Sequence, residues 1–135
     1  IEEAIKGREL ECAVFESNGK ITCSNAGEAV AGDIFYSYEA KYNNADSKTV
    51  LSPEMPEGTN EKIKEYAAAI FRILGCNGLS RVDFFLEESG RIVFNEINTL
   101  PGFTEISMYP MMMSEVGYPI EKLMEALINS ADCSK

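Results

Sequence analysis

Two strand-like runs, Leu79 to Leu86 and Arg91 to Asn98, flank the polar segment Glu88-Ser89-Gly90, and both carry charged or amide side chains among their apolar residues. No other feature constrains the fold as much. Runs of this length around a glycine-containing loop predict an antiparallel hairpin. Strand side chains alternate between faces, so Arg81, Asp83 and Phe85 share one face of the first strand, and Phe94, Glu96 and Asn98 share one face of the second. With the turn at Ser89-Gly90, residue 83 stands opposite 96 and residue 81 opposite 98. Asp83, Glu96 and Asn98 then converge beside Arg81 on a face that also holds Phe85 and Phe94. Sliding the turn by one residue at each side leaves these faces unchanged.

Two carboxylates and an amide oxygen are hard donors suited to Mg²⁺, with water and substrate phosphate completing its octahedron. The same residues also suit a solvated face on which Asp83 and Glu96 pair with Arg81 and Arg91. Like charges facing one another are destabilising unless a cation offsets them, and spacing does not choose between the readings. Beyond the hairpin, Asn98 to Thr104 turns away. Gly102 permits a close backbone approach, so its N–H and Arg81 could meet a developing oxyanion; a plain Pro-Gly turn also accounts for Pro101-Gly102.

Elsewhere the elements follow local rules. Glu9 to Phe15 alternates, Asn18-Gly19 supplies a two-residue turn, and Lys20 to Ser24 returns. Periodicity fails from Ala26 to Pro56, a stretch that holds Phe35, Tyr36, Tyr38 and Tyr42 and reads either as a binding loop or as a surface excursion pinned by its aromatics. Thr49 to Ser52 suggests a short strand. Thr59 is expected to cap a helix carrying Ile63, Tyr66, Ala67, Ile70, Phe71 and Leu74 at helical spacing, which Gly75 ends. Ile106 to Val116 suggests a short helix interrupted near Pro110, and Pro119 opens a last helix with Ile120, Leu123, Met124, Leu127 and Ile128. Met108, Met111, Met112 and Met113 read as core filler.

Composition narrows the chemistry. The 135 residues support one domain or one lobe of a larger enzyme. A formal net charge of −10 disfavours a nucleic-acid or anionic-lipid surface and fits a divalent cation, or a polyanion carried by one. The chain has no histidine, which removes the commonest general base and zinc ligand. No apolar run reaches membrane-spanning length and the opening IEEAIKGREL lacks a signal-peptide pattern, so a soluble intracellular protein is expected. Cys12, Cys23 and Cys76 sit in apolar stretches and, with Cys133, read as free thiols. The chain opens as though already under way, which suggests a fragment.

Gly78-Leu79-Ser80-Arg81-Val82-Asp83, then Asn95-Glu96-Ile97-Asn98-Thr99-Leu100-Pro101-Gly102-Phe103-Thr104 and Ser107-Met108-Tyr109-Pro110, closely resemble the C-terminal lobe of the D-alanine–D-alanine ligases, which are ATP-grasp enzymes. The resemblance covers essentially the whole chain. It implies an α+β fold, a largely antiparallel sheet flanked by helices, with residues 1–135 forming a single lobe and the N-terminal and central domains absent. It further implies a cytoplasmic bacterial enzyme that makes D-alanyl-D-alanine for peptidoglycan from D-alanine and ATP, with two Mg²⁺ or Mn²⁺ ions and no nucleic-acid or membrane partner.

By that resemblance Asp83, Glu96 and Asn98 would hold Mg²⁺, while Arg81 and the Gly102 N–H would stabilise the tetrahedral intermediate. Ser107 and Met108 would hold the carboxylate of the second D-alanine, Lys41 would touch phosphate, and Tyr42 would close the long loop. Glu2, Glu3 and Ile5 would lie at adenine, with Phe85 beside them, and Glu9 at the ribose. D-alanine–D-serine and D-alanine–D-lactate ligases share much of the pattern; Lys41-Tyr42 and Met108 favour D-alanine. A non-catalytic Mg²⁺- or nucleotide-binding module is the reading from another class. The oligomeric state, a homodimer included, is left open by the residues.

Overall fold

The computed structural model describes residues 3–30, 48–104 and 106–132, with the backbone only at 48 and 132. Its six described strands form one sheet: β1 (Arg8–Ser17), β2 (Lys20–Cys23), β3 (Gly27–Val30), β4 (Lys48–Val50), β5 (Leu79–Leu86) and β6 (Ile92–Asn98). Three helices accompany them, α1 (Thr59–Ile73), α2 (Met108–Glu115) and α3 (Ile120–Asp132). All pairings are antiparallel, in the order β4-β3-β1-β5-β6, with β2 also on β1. This is the expected α+β lobe.

β1 is the axis of the sheet. Along one edge it pairs with β2 at Val14–Ser17 and with β3 at Glu9–Glu11; along the other it pairs with β5 over its length. Buried Ser24 bridges the gap between β2 and β3, its Oγ accepting the Ala13 N–H at 2.9 Å and donating to the Asn25 carbonyl at 2.7 Å. Asn18 and Gly19 both have positive φ, 52° and 75°, as the expected two-residue turn requires.

The two faces of the sheet are covered unequally. Leu10, Cys12, Val14, Val82, Phe84 and Leu86 pack under Ile63, Ala67 and Phe71 of α1. Burying each large apolar side chain there is worth about 1.5–3 kcal/mol. On the opposite face, Ala13, Phe15 and Leu79 pack under α2 and α3 through Met108, Tyr109, Met112, Met113 and Leu123. Tyr109 is pinned by donating to the Val14 carbonyl at 3.0 Å, and burial pushes its phenol pKa up. The methionines are core filler, as expected. The rest of that second face, around Glu9, Glu11, Arg81, Asp83 and Phe85, remains open and forms a trough.

Several local expectations shift. Gly27–Val30 is a strand where periodicity had shown none, and the short strand expected at Thr49 to Ser52 lies at Lys48–Val50. The N-cap of α1 is Gly58, φ 77°, rather than Thr59. Its end is as expected: Gly75, φ 65°, donates to Arg72 O at 3.1 Å and Cys76 to Phe71 O at 3.0 Å, a Schellman closure. Tyr66 and Leu74 are exposed because the apolar stripe that meets the sheet narrows to Ile63, Ala67 and Phe71. Pro110 does not interrupt α2, since it sits in the first turn where its missing N–H has no intrahelical partner to lose. Pro119 precedes α3 and accepts the Leu123 N–H at 2.9 Å. Leu123 of α3 is fully buried, whereas Ile120, Met124 and Ile128 are exposed. Cys12, Cys23 and Cys76 are free, and Cys133 lies outside the described residues.

Candidate active site

The acidic hairpin forms as expected at its ends but by a different register. Gly90 N–H donates to Glu87 O at 2.9 Å and Glu87 N–H to Arg91 O at 3.0 Å, so the loop is Glu88-Ser89-Gly90 with Gly90 at φ 83°. From this turn Leu86 pairs with Ile92, Phe85 with Val93 and Phe84 with Phe94. Continued unbroken, that register would set Asp83 against Asn95 and turn Glu96 to the opposite face. A β-bulge at Asn95 prevents this, and beyond it Asp83 pairs with Glu96 and Arg81 with Asn98. The convergence of Arg81, Asp83, Glu96 and Asn98 is real, but it depends on register after all. The bulge also corrects the place of Phe94. It pairs with Phe84 and meets that ring edge-on at a centroid distance of 6.2 Å, while Val93 stands opposite Phe85.

Strand pairing adds a residue that the hairpin does not contain. Glu11 of β1 lies directly opposite Asp83, so Glu11, Asp83 and Glu96 form one row across three strands. Arg81 lies one row further, between Ala13 and Asn98. Its Nε and Nη2 donate to Asp83 at 2.8 and 2.7 Å, and Nε lies 3.4 Å from Glu11 Oε2. Burial by itself would lower the Arg81 pKa; the Asp83 hydrogen bonds and the charges of Glu11, Asp83 and Glu96 outweigh it and hold the guanidinium well above its usual value. Arg91 joins neither Asp83 nor Glu96, lying 3.5 Å from Glu87 instead. The solvated-face pairing is therefore met at Arg81 and Asp83 but not at Glu96 and Arg91.

Three cavities in series make up the trough. About 510 Å³ lies among Glu3, Ala4, Ile5, Phe85, Val93, Phe94 and Asn95. About 160 Å³ follows at Glu9, Glu11, Arg81, Asp83, Asn95 and Glu96. About 340 Å³ lies at Glu11, Arg81, Asn98, Gly102, Thr104, Ser107 and Met108, so adjoining cavities share residues. Glu9 stands opposite Phe85 in the ladder. The structure thus brings Glu3, Ile5 and Phe85 to one end, Asp83 and Glu96 to the middle, and Asn98, Gly102, Ser107 and Met108 to the other. Glu2, Lys41 and Tyr42 lie outside the described residues.

The loop after β6 is tied at both ends. Asn98 Oδ1 accepts the Leu100 N–H at 3.0 Å. Ser107 Oγ accepts the Thr104 N–H at 3.0 Å, the two hydroxyls lie 2.8 Å apart, and Ser107 N–H donates to Thr104 O at 3.0 Å. A Cβ on Gly102 would stand 2.9 Å from Ser107 Oγ, so a larger residue there would push the Ser107 side chain aside. Ser107 is the N-cap of α2, where a negative group is favoured. The Met108 side chain packs into the core at 7% exposure, close to Gly27.

The donors fit a hard divalent cation. Three carboxylates in one row exceed what the charge of Arg81 offsets, and like charges across a ladder are stabilised by a cation between them. Among the described residues no cluster of three or more His, Cys, Asp or Glu is close enough to hold a metal, and the expected set is instead two carboxylates and an amide. Arg81 and a cation would compete for Asp83.

The D-ala D-ala ligase C-terminus family matches residues 1–129. The chain belongs to this family. It is 50% identical over 134 residues to D-alanine–D-alanine ligase from Ruminiclostridium cellulolyticum, covering 97% of this chain and 35% of that protein. With the ligase from Chlorobaculum tepidum it shares 47% identity over 129 residues, 95% of this chain and 35% of the relative. The fold superposes on D-alanyl-alanine synthetase A from Vibrio cholerae with a TM-score of 0.81 at 44% identity, over 96% of this chain and 40% of that one. A D-Ala:D-Ser ligase from Enterococcus faecalis gives 0.80 at 38%, over 94% and 37%. D-alanine–D-alanine ligase from Bacillus anthracis, solved with ATP, gives 0.75 at 28%, over 96% and 41%. The chain thus spans about 35% of the length of the curated relatives it matches.

Glu11 is the site residue that sequence reading missed. Its alternation with Leu10 and Cys12 marked the right face of β1, but nothing local to it pointed to β5.

Proposed function

We propose that this chain is the catalytic C-terminal lobe of an ATP-dependent ligase that joins two D-alanine molecules for peptidoglycan, acting in the bacterial cytoplasm. The observation that carries this is the trough: an apolar-edged cavity at Glu3, Ile5 and Phe85 runs through the acidic row into a cleft shared by Arg81, Asn98, Gly102 and Ser107. Adenine takes the first part, with the ribose at Glu9, and the phosphates lie over the acidic row. Asp83, Glu96 and Asn98 would hold Mg²⁺ or Mn²⁺, which would supply neutralisation of the phosphate charge.

In this reading the carboxylate of the first D-alanine takes the γ-phosphoryl group of ATP, releasing ADP. The amine of the second D-alanine attacks that acyl phosphate, giving a tetrahedral oxyanion that expels phosphate and loses an amine proton to form the peptide. Arg81 and the Gly102 N–H face the oxyanion, a charge and a dipole fixed in place before the reaction. Ser107 and the α2 N-terminus receive the second carboxylate. Lys41 contacts phosphate and Tyr42 closes the long loop, keeping water from the acyl phosphate. Such chemistry rests on positioning and charge neutralisation, which a chain without histidine can supply.

In the full-length protein, Asp83→Ala and Glu96→Ala are each expected to cut ATP-dependent dipeptide formation by on the order of 10²-fold or more; wild-type rates in either would overturn the ligase reading. The isolated 135-residue chain is expected to form no dipeptide, which a coupled ADP-release assay checks. A D-alanine–D-serine ligase is the second reading, favoured by the Enterococcus faecalis superposition. Steady-state kinetics with D-alanine, D-serine and D-lactate as second substrate separate them, with D-alanine expected to give the highest kcat/KM.

A further inference from the structure

Glu11 has no part in the roles assigned above, yet it borders both the acidic and the substrate ends of the trough. It lies opposite Asp83 across the β1–β5 ladder, and its Oε2 is 3.4 Å from Arg81 Nε. The same Nε donates to Asp83 at 2.8 Å, and Nη2 at 2.7 Å completes the fork. The side chains of Glu11, Asp83 and Arg81 are 14%, 13% and 14% exposed, so their charges interact with little screening. The guanidinium therefore stands between two carboxylates, bonded closely to one and near the other.

That asymmetry has a consequence once Asp83 takes a cation. A divalent ion on Asp83 cancels the attraction that holds Arg81 there and adds repulsion between two positive groups. Without a second anchor the guanidinium would leave the cleft or keep the ion from Asp83. Resting on the ligase reading above, we propose that Glu11 is a positioning residue that takes over Arg81 when a divalent cation engages Asp83. Transfer of Nε–H from Asp83 to Glu11 is a short movement, since both acceptors already flank the same nitrogen. It frees Asp83 for the ion and keeps Arg81 at the cleft that also holds Asn98, Gly102 and Ser107. Glu11 thus couples metal uptake to the position of the oxyanion-stabilising charge.

A double-mutant cycle on metal binding tests this without turnover. Mn²⁺ is titrated into the full-length protein with a non-hydrolysable ATP analogue and no D-alanine, and free Mn²⁺ is read by electron paramagnetic resonance. Glu11→Gln, nearly isosteric, is expected to weaken Mn²⁺ binding about tenfold, within the range of coupling between contacting charged groups. In an Arg81→Met background the same change is expected to have an effect of about twofold or less, because no guanidinium then competes for Asp83. An equal loss in both backgrounds would mean that Glu11 acts through its field on the ion, and would overturn the proposal. So would an unchanged affinity in Glu11→Gln. Should Glu11→Gln fail to fold, Glu11→Asp, which draws the carboxylate back from Nε, is expected to show a smaller Arg81-dependent loss, and an Arg81-independent one would overturn the proposal. If the wild-type protein takes up no Mn²⁺ under these conditions, the metal reading itself fails; tight wild-type binding with no Arg81-dependent coupling overturns the Glu11 role alone.

Discussion

Arg8 and Arg81 each fork onto one carboxylate, and their surroundings give the two forks different uses. Arg8 donates to Glu28 at 2.8 and 2.7 Å and to the Glu54 carbonyl at 2.8 Å, tying β1 and β3 to the segment before α1. The Arg8 hydrogen bonds hold the Glu28 carboxyl below its ordinary value against the opposing effect of burial. A depressed carboxyl pKa contributes stability above the ordinary carboxylate range, lost as pH falls through the folded value. Glu28→Gln is therefore expected to cost about 0.5–1 kcal/mol at neutral pH, discounted because Arg8 is 37% exposed. The difference from wild type should shrink as pH drops below the ordinary carboxylate range, as urea melts at stepped pH would show. Arg81, by contrast, lies between Glu11 and Asp83, feels the charge of Glu96 as well, and stays charged at any pH the fold survives, so its positive charge is a constant of the site. Residue types revealed part of this in advance: the Arg81-x-Asp83 spacing put both side chains on one face, which suited a cation site and a solvated ion pair alike. Which carboxylates flank the arginine was not, because Glu11 arrives from a distant strand.

The element that decides the site is the bulge in β6. Its physical effect is one of parity, since a single unpaired residue changes which face every later side chain occupies. Deleting Asn95 from the full-length protein is expected to remove the bulge and let β6 run unbroken with Glu96 still opposite Asp83 and Asn98 still opposite Arg81. Because the row of carboxylates is kept, dipeptide formation should stay within about tenfold of wild type, roughly 1.4 kcal/mol of transition-state stabilisation. The readout is kcat together with hydrogen exchange along β5, whose protection should persist because pairing continues. A loss of about 10²-fold or more, roughly 2.7 kcal/mol, would show that the bend of the bulge, and not parity alone, positions Glu96. Other elements were legible because their signals are local: Asn18-Gly19 encodes its turn through two positive φ values, and Gly75 encodes the end of α1. β3 was hidden because four residues carry too little pattern and form a strand only against β1.

At the scale of the molecule, one sheet separates two apolar cores and leaves the remaining part of one face for chemistry. The core under α1 lies on the side opposite the trough, so damage there should act on stability first. Phe71→Ala removes a ring at 1% exposure and is expected to cost about 3–5 kcal/mol, seen as a lower urea midpoint. In the full-length protein, turnover per folded molecule should remain near wild type, because Glu9, Glu11, Arg81 and Asp83 lie on the other face of the sheet from that core. Among the described residues no helix is long and apolar enough to cross a membrane.

The linear order of residues by itself determined the two hairpins and the helices within a residue or two, while the α+β class came from the family resemblance carried by the motif that runs from Arg81 through Ser107. The hairpins and helices follow from interactions between near neighbours: alternation, helical spacing and left-handed turns. The tertiary structure decided that β1 lies beside β5 and that Asn95 bulges, and through these that Glu11, Asp83 and Glu96 form one row around Arg81. Those outcomes depend on packing between residues far apart in the chain, where a shift of one position changes the whole face and leaves every local preference satisfied. The shared face of Arg81, Asp83, Glu96 and Asn98 was therefore legible before the structure was known, but the third carboxylate of the row, Glu11, was not.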